Sequence, residues 1–194
     1  MDRNLLFGAI ATACLFAPVA VITNYANAQG MMMEKTVEVG GAPMYPSKNI
    51  IENAVKSKDH TTLVAAVKAA GLVDTLSGKG PFTVFAPTNE AFDGLPKGTV
   101  ETLLKPDHKK MLSGVLTYHV VAGTHTAEDI MAAIRKGGGK AVFKTVNGES
   151  LTAMVDGKKV VLTDAKGGKS DVTQADVMQS NGVIHVVDKV LLPG

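Results

Sequence analysis

Histidines and methionines are the first candidates for metal ligands in this 194-residue sequence. His119, His125 and His185 could in principle converge, but none is four residues from another, the spacing that places two imidazoles on one helix face. His119 and His185 each interrupt an apolar run, which is typical of a buried imidazole hydrogen-bonded to the backbone or to a carboxylate. We therefore expect these two histidines to be structural and predict no histidine metal site.

The methionine thioethers leave one kind of metal site open as an interpretation. Met31, Met32 and Met33, with Met44, offer soft ligands for Cu(I), and the alternative is adaptable apolar packing. Cys14 is the single cysteine, so zinc-type spacing and a disulfide framework are both impossible. No bound cofactor is predicted.

Motifs for covalent catalysis and phosphate binding are incomplete. The nearest approach to the hydrolase motif G-x-S-x-G, residues 148–152, ends in Thr and falls in a predicted hairpin strand. Residues 168–170 (GKS) resemble the end of a phosphate loop, but Thr163 stands where such a loop requires Gly. Carboxylates such as Asp171 and Asp176 show no sign of a shared cleft. The sequence predicts no catalytic residue and favours a protein that is not an enzyme.

The first 28 residues have the features of an export signal. An uncharged apolar run over residues 5–22 is followed by residues 26–28 (ANA), a small-residue cleavage motif. A membrane anchor is the alternative interpretation, although Gly8 and Pro18 weaken a spanning helix. We expect cleavage after Ala28, a periplasmic or extracellular location, and contact with the membrane only during export.

Composition limits the classes of partner. The chain is 45% hydrophobic and 20% charged, a balance that predicts folding rather than disorder. Its net charge of +2 provides no strong field of one sign, so nucleic acid is not an expected partner. Removal of residues 1–28 would also remove the thiol, which excludes cysteine chemistry from the mature chain. We predict a monomer.

Helical spacing dominates the first half of the chain. It follows a lead-in segment, residues 29–47, in which only Lys35–Val39 alternates like a strand. A buried strand is predicted at Phe82–Ala86, between two prolines, and another at Tyr118–Val121. Apolar stripes predict short helices around residues 50–55, 63–70, 91–95, 100–104, 111–116 and 130–134, with Gly71, Thr88 and Thr126 as caps.

The second half changes to strands and tight turns. Asn147-Gly148 and Asp156-Gly157 are two-residue hairpin signals between alternating apolar runs. Segregated helices and strands favour an α+β domain over residues 48–194. The predicted strands are Ala141–Val146, Ser150–Val155 and Lys159–Thr163, then, after a polar loop at residues 167–170, Val172–Val177 and Val183–Val187.

Three segments resemble hallmarks of the fasciclin (FAS1) domain family. Phe82–Phe92 and Asn181–Pro193 are similar to its two signature blocks, and Tyr118-His119 to a pair between them. The resemblance covers residues 48–194, and residues 39–46 resemble short, single-domain, exported bacterial members. It implies a β-wedge sandwich with a helical layer, in which the two blocks supply adjacent central strands.

The resemblance also implies a function and a site. Members of the family are extracellular or cell-surface modules linked to adhesion and matrix roles, without catalytic residues. An Asp-Ile pair precedes the second block in animal adhesive members, and Asp176-Val177 stands at that position here. We predict Asp176, Val177, Tyr118 and His119 as binding residues for a cell-surface or matrix protein or polysaccharide. Packing is the alternative role of Tyr118 and His119, and a periplasmic ligand or copper carrier using the Met-rich segment is the alternative function.

Overall fold

The structure is a computed structural model that describes residues 35–194. No helix within that range is long and apolar enough to cross a membrane. The α-helices are Ile50–Ala54 (α1), Thr61–Ala70 (α2), Val73–Ser77 (α3), Asn89–Asp93 (α4), Thr99–Leu103 (α5), Lys109–Tyr118 (α6) and Ala127–Lys136 (α7). The strands are Val37–Val39 (β1), Ala42–Met44 (β2), Phe82–Pro87 (β3), Val120–Ala122 (β4), Lys140–Lys144 (β5), Ser150–Asp156 (β6), Lys159–Thr163 (β7), Lys169–Gln179 (β8) and Gly182–Val187 (β9).

Local capping chemistry sets several helix ends. The Thr88 side chain accepts a hydrogen bond from Ala91 N–H at the start of α4, and Thr126 forms a capping box with Asp129 at the start of α7. Gly71 ends α2 with a φ of 72°, a left-handed conformation that favours glycine. The predicted caps at these three positions are confirmed.

One seven-stranded sheet organises the domain in the order β4-β3-β9-β8-β7-β6-β5. Strands β3 and β9 pair in parallel from Phe82↔Gly182 to Pro87↔Val187, and the other neighbours are antiparallel. An isolated bridge between Val121 and Thr145 joins the two ends of this order, so the sheet nearly closes. The two signature blocks therefore supply adjacent strands, as the resemblance implied.

Strands β3 and β9 are buried on both faces. Alternate side chains point to opposite sides of a strand, so Val84 and Phe85 enter two different apolar clusters. The first cluster contains helices α1 to α6 and the β1–β2 hairpin, and the second contains α7 with β5, β6 and β7. Burial on both sides explains the continuous apolar run that predicted a buried strand at Phe82–Ala86.

The lead-in segment contributes to the first core. Strands β1 and β2 form a hairpin across Gly40-Gly41, whose φ angles of 58° and 71° suit a tight two-residue turn. Val39 and Met44 are buried against the helices. The predicted strand-like stretch is thus half of a hairpin, and the β2 half, which contains Pro43, is too short to give a periodic signal.

Several predicted boundaries are wrong. The strand predicted at Ala141–Val146 ends at Lys144, so the β5–β6 loop covers residues 145–149 instead of two residues. Tyr118 is the last residue of α6 and His119 caps it, so the strand predicted at Tyr118–Val121 is Val120–Ala122. The apolar run at residues 118–121 gave this wrong prediction because the end of the helix is as fully buried as the strand that follows. The predicted polar loop at residues 167–170 is shorter, because Lys169 already pairs with β7.

Candidate functional site

A bulge in β8 places Asp176 where the sequence predicted a binding residue. The pairing of β8 with β9 shifts register between Val172 and Gln174 and again between Gln174 and Val177. Asp176 takes a φ of 58°, and it is the single non-glycine residue with positive φ recorded among residues 35–194. Such backbone persists only where surrounding contacts fix it, and it occurs often at functional sites.

Hydrogen bonds on both sides hold Asp176 in this conformation. Its carboxylate Oδ1 accepts from Ala127 N–H at 2.7 Å, so it caps the first turn of α7 from another element. Its own backbone N–H donates to Nδ1 of His185 at 3.3 Å. The bulge, strand β9 and the start of α7 are therefore joined at one residue.

His185 extends this connection into the interior. Because Nδ1 accepts from Asp176, a neutral ring carries its proton on Nε2, which donates to the His125 carbonyl at 2.8 Å. The ring stacks on Phe85 with centroids 5.6 Å apart. Burial lowers the pKa of His185, an effect opposed by the hydrogen bond to the His125 carbonyl and by the nearby charge of Asp176.

Thr83 holds the loop between β4 and α7, to which His125 belongs. Its hydroxyl donates to the Gly123 carbonyl at 2.7 Å and accepts from His125 N–H at 2.9 Å. The segment between β4 and α7 is thus tied to both central strands. This role of Thr83 was missed by sequence reasoning, because a threonine inside an apolar β-run carries no signal beyond strand propensity.

Tyr118 lies in the second core. Its hydroxyl donates to the Ser150 carbonyl at 2.9 Å and accepts from Ala165 N–H at 3.0 Å. Burial raises the pKa of Tyr118. The side chain connects the end of α6 to the β-meander and presents no surface to a partner.

His119 forms the complementary tie to the C-terminal segment. Its Nε2 accepts from Leu191 N–H at 3.0 Å, so Nδ1–H donates to the Val115 carbonyl at 2.8 Å. Burial lowers the pKa of His119 to about 4. The expectation that His119 and His185 are buried imidazoles hydrogen-bonded to backbone is confirmed.

The four predicted binding residues therefore differ in solvent exposure. Val177, Tyr118 and His119 are buried, and Asp176 is half-buried. A side chain in the core cannot touch a docked macromolecule while the fold is intact, so these three can contribute only by positioning. Their predicted role in binding stays a prediction.

An open groove of about 550 Å³ lies beside the bulge. Val37 and Met44 of the hairpin form one part of it, and Ala175 and Asp176 form another. Lys35 also lines the groove, so it carries one residue of each charge. A second groove, of about 560 Å³, is lined by Ser77, Lys79 and Asn181 among others.

Asn181, the first residue of the second signature block, has a structural role that the sequence analysis did not predict. Its Oδ1 accepts from Ile50 N–H at 3.0 Å, and its amide donates to the carbonyls of Leu76 and Gly78 at 2.8 and 3.0 Å. One side chain thus holds α1 and the end of α3 against the β8–β9 turn. No local pattern reports such long-range contacts.

Metal ligands do not gather in the part of the chain that the structure describes. Residues 35–194 contain no group of three His, Cys, Asp or Glu side chains placed to hold an ion. Met44 is 3% exposed and packs in the first core. Met31–Met33 lie outside the described residues, so the copper interpretation stays untested there.

Comparison with known proteins identifies the family to which this chain belongs. Residues 58–193 match the fasciclin domain, and the chain belongs to that family. The FAS1 domain pair of the insect cell adhesion molecule fasciclin I superposes with a TM-score of 0.68 at 20% identity, covering 76% of this chain and 52% of that one. This chain thus spans about half of the insect structure. At this low sequence identity, the superposition supports the fold alone. The predicted α+β FAS1 architecture is confirmed.

Bacterial relatives match over more of their length. The chain is 48% identical to protein sll1483 of Synechocystis sp. over 160 residues, which are 82% of each chain. It is 34% identical to the immunogenic protein MPT70 of Mycobacterium tuberculosis, over 72% of this chain and 66% of that protein. Periostin from Homo sapiens is 32% identical over 74% of this chain but only 16% of its own length.

Proposed function

We propose that this chain is an exported, non-enzymatic fasciclin-type binding module that engages a protein or polysaccharide of cell surfaces or matrix. Family membership supports this class of function, and the insect structural relative is described as a cell adhesion molecule. The observation that carries the proposal is that Asp176 lines an open groove of about 550 Å³.

The groove suits a partner that presents an extended segment with a donor or cation to Asp176. The left-handed backbone and the bonds to Ala127 and His185 fix the carboxylate, so little side-chain entropy is lost on binding. Val177 anchors the bulge beneath the groove. Tyr118 and His119 act at a distance, by holding the α6 end and the C-terminal segment in place.

Replacement of Asp176 by Asn tests this site. Asparagine keeps the acceptor for Ala127 N–H and tolerates positive φ, so the fold should persist while the charge is lost. Cells producing Asp176→Asn in place of the wild-type chain should attach to surfaces or aggregate severalfold less. Asp93→Asn, an exposed carboxylate at the end of α4, is the matched control and should leave attachment unchanged. Attachment that is equal in both variants and in the wild type would contradict the site.

Export has a separate test. We expect protein recovered from the periplasmic or extracellular fraction of the producing cells to begin at Gln29, the residue after the predicted cleavage motif. N-terminal sequencing measures this directly. Recovery of the chain with residues 1–28 still attached in every fraction would refute cleavage.

A further inference from the structure

The outward face of the β-meander combines lysines with exposed apolar side chains. The outward residues of β5 pair with outward residues of β6, which pair in turn with those of β7, and these pair with those of β8. The inward residues of β5, β6 and β7 fill the second core. We call the surface formed by Lys140, Lys144, Lys159 and Lys169 around Val142 and Met154 the lysine plate. Strand and residue spacings give it dimensions of about 14 by 20 Å.

Positive charge is concentrated on this part of the chain. Residues 135–171 contain eight Lys and Arg but four Asp and Glu, whereas the whole chain has a net charge of only +2. Asp171 pairs with Lys159 at 3.2 Å, the single Lys/Arg to Asp/Glu ion pair found within residues 35–194. Asp164 accepts bonds from the N–H groups of Lys166, Gly168 and Leu192 instead. Asp156 also lies on this face, as the register partner of Lys159. Lys140, Lys144 and Lys169 have no acidic partner within 4.0 Å in the described chain.

Two apolar side chains near the middle of the plate are exposed. Val142 is 61% exposed and Met154 is 42% exposed, although both lie in regular strands. A ligand that suits this face must bring anionic groups to the rim and apolar C–H surface to the centre.

We propose that the lysine plate binds an acidic polysaccharide whose sugar rings carry carboxylates. The carboxylates of such a polymer complement Lys140, Lys144 and Lys169, while the C–H faces of its pyranose rings pack on Val142 and Met154. A chain of rings is also narrow enough for the plate, whose area of roughly 300 Å² is far below the ~800 Å² per partner of a standard protein interface.

Other anionic partners fit less well. A bilayer surface selects exposed Trp, Phe or Leu as anchors, and none of the exposed large apolar side chains of this plate is of those types. Single-stranded nucleic acid selects aromatic platforms, and the outward residues Val142 and Met154 offer none. The plate lies on β5 to β8, apart from the bulge at Asp176, so the proposal adds a surface to the proposed function and depends on it only for extracytoplasmic location.

The test measures binding of a fluorescent oligogalacturonate to the full chain by anisotropy. The triple variant Lys140→Gln/Lys144→Gln/Lys169→Gln should bind about ten- to hundredfold more weakly, and wild-type affinity should fall as salt rises. The matched control Lys68→Gln/Lys97→Gln/Lys105→Gln removes the same charge from exposed sites elsewhere and should bind like the wild type. Val142→Asp should also abolish binding, whereas Val55→Asp, at another exposed valine, should not.

The outcomes separate this proposal from the proposed function. Asp176→Asn should keep full affinity for the oligogalacturonate whether or not it impairs attachment. No binding by the wild type, equal loss in both lysine triples, or tighter binding to polyglutamate or to phosphatidylglycerol vesicles would overturn the proposal. Circular dichroism of each variant verifies that the fold is intact.

Discussion

At the residue scale, buried polar side chains connect elements that are distant in sequence. His119 is 2% exposed and His185 is fully buried, and each uses both ring nitrogens in bonds to backbone groups. A neutral imidazole can donate at one nitrogen and accept at the other, which these sites require. Protonation would place a second N–H against Leu191 N–H or Asp176 N–H, so the folded state disfavours the charged form.

This arrangement predicts a loss of stability in mild acid. Burial lowers the pKa of His60, His119 and His185, and that of His119 falls from 6.5 to about 4. The unfolded chain therefore binds protons first, and the free energy of unfolding should be highest above pH 6.5 and fall towards pH 4. For His119 alone the loss corresponds to about 3 kcal/mol at the acid end. Urea denaturation at a series of pH values measures it.

Two variants separate His119 from general destabilisation. His119→Gln cannot titrate, so its unfolding free energy should vary less between pH 6.5 and 4 than that of the wild type. Leu116→Ala, in the helix that His119 caps, should lower stability at every pH but keep the wild-type slope. An unchanged slope in His119→Gln would show that other groups cause the acid response.

At the element scale, the β1–β2 hairpin adds residues to the domain that precede its predicted start at residue 48. Its turn is made by two glycines with positive φ. Its inward side chains join the first cluster, which contains residues of the helices and of β3, β8 and β9. Gln174 Nε2 of β8 also donates to the Glu38 carbonyl at 3.0 Å, which links the hairpin to the bulged strand. The hairpin thus forms part of the first core and of the groove beside Asp176.

Truncation of Met44 tests the contribution of the hairpin. Met44→Ala removes a side chain that is 3% exposed, and we expect a loss of about 2–5 kcal/mol in unfolding free energy. Met111→Ala removes the same side chain from a site on α6 that is 58% exposed and should change stability by less than about 0.5 kcal/mol. Equal effects of the two changes in urea denaturation would mean that the hairpin is not docked.

At the scale of the whole molecule, the parallel pair β3–β9 couples the two cores. Val84 and Ile184 belong to the first cluster, while Phe85 and Val187 belong to the second. Separation of these strands would open both clusters at once. We therefore expect the domain to unfold in a single transition.

The contact at the start of this pair gives a sharp test. A Cβ on Gly182 would lie 2.0 Å from the Phe82 carbonyl oxygen, so Gly182→Ala must push β9 away from β3. We expect a loss of more than about 4 kcal/mol, with far-UV and near-UV circular dichroism changing together. Gly114→Ala, where a Cβ meets nothing within 4 Å on helix α6, should instead stabilise by up to about 1 kcal/mol. Two separate transitions in Gly182→Ala would contradict the coupling.

Local sequence determined the elements because their signals are short-range. The caps at Thr88, Thr126 and Gly71 and the hairpin turns at Gly148 and Gly157 depend on residues within four positions. The two hallmark blocks, read as a family resemblance, also predicted the adjacent strands β3 and β9. The helix–strand boundary at Tyr118 was not predicted correctly, because the residues on either side of it are equally buried.

Only the tertiary structure decided which candidate residues are accessible and which charges gather. Val177 lies in the first core, Tyr118 lies in the second, and His119 is buried with a bond to Leu191 N–H. Asp176 is positioned by Ala127 and His185, 49 and 9 residues away in the chain. The lysine plate likewise assembles from four strands through their register, which places side chains that are up to 29 positions apart on one face. Such contacts depend on long-range pairing, and spacing along the chain does not encode it.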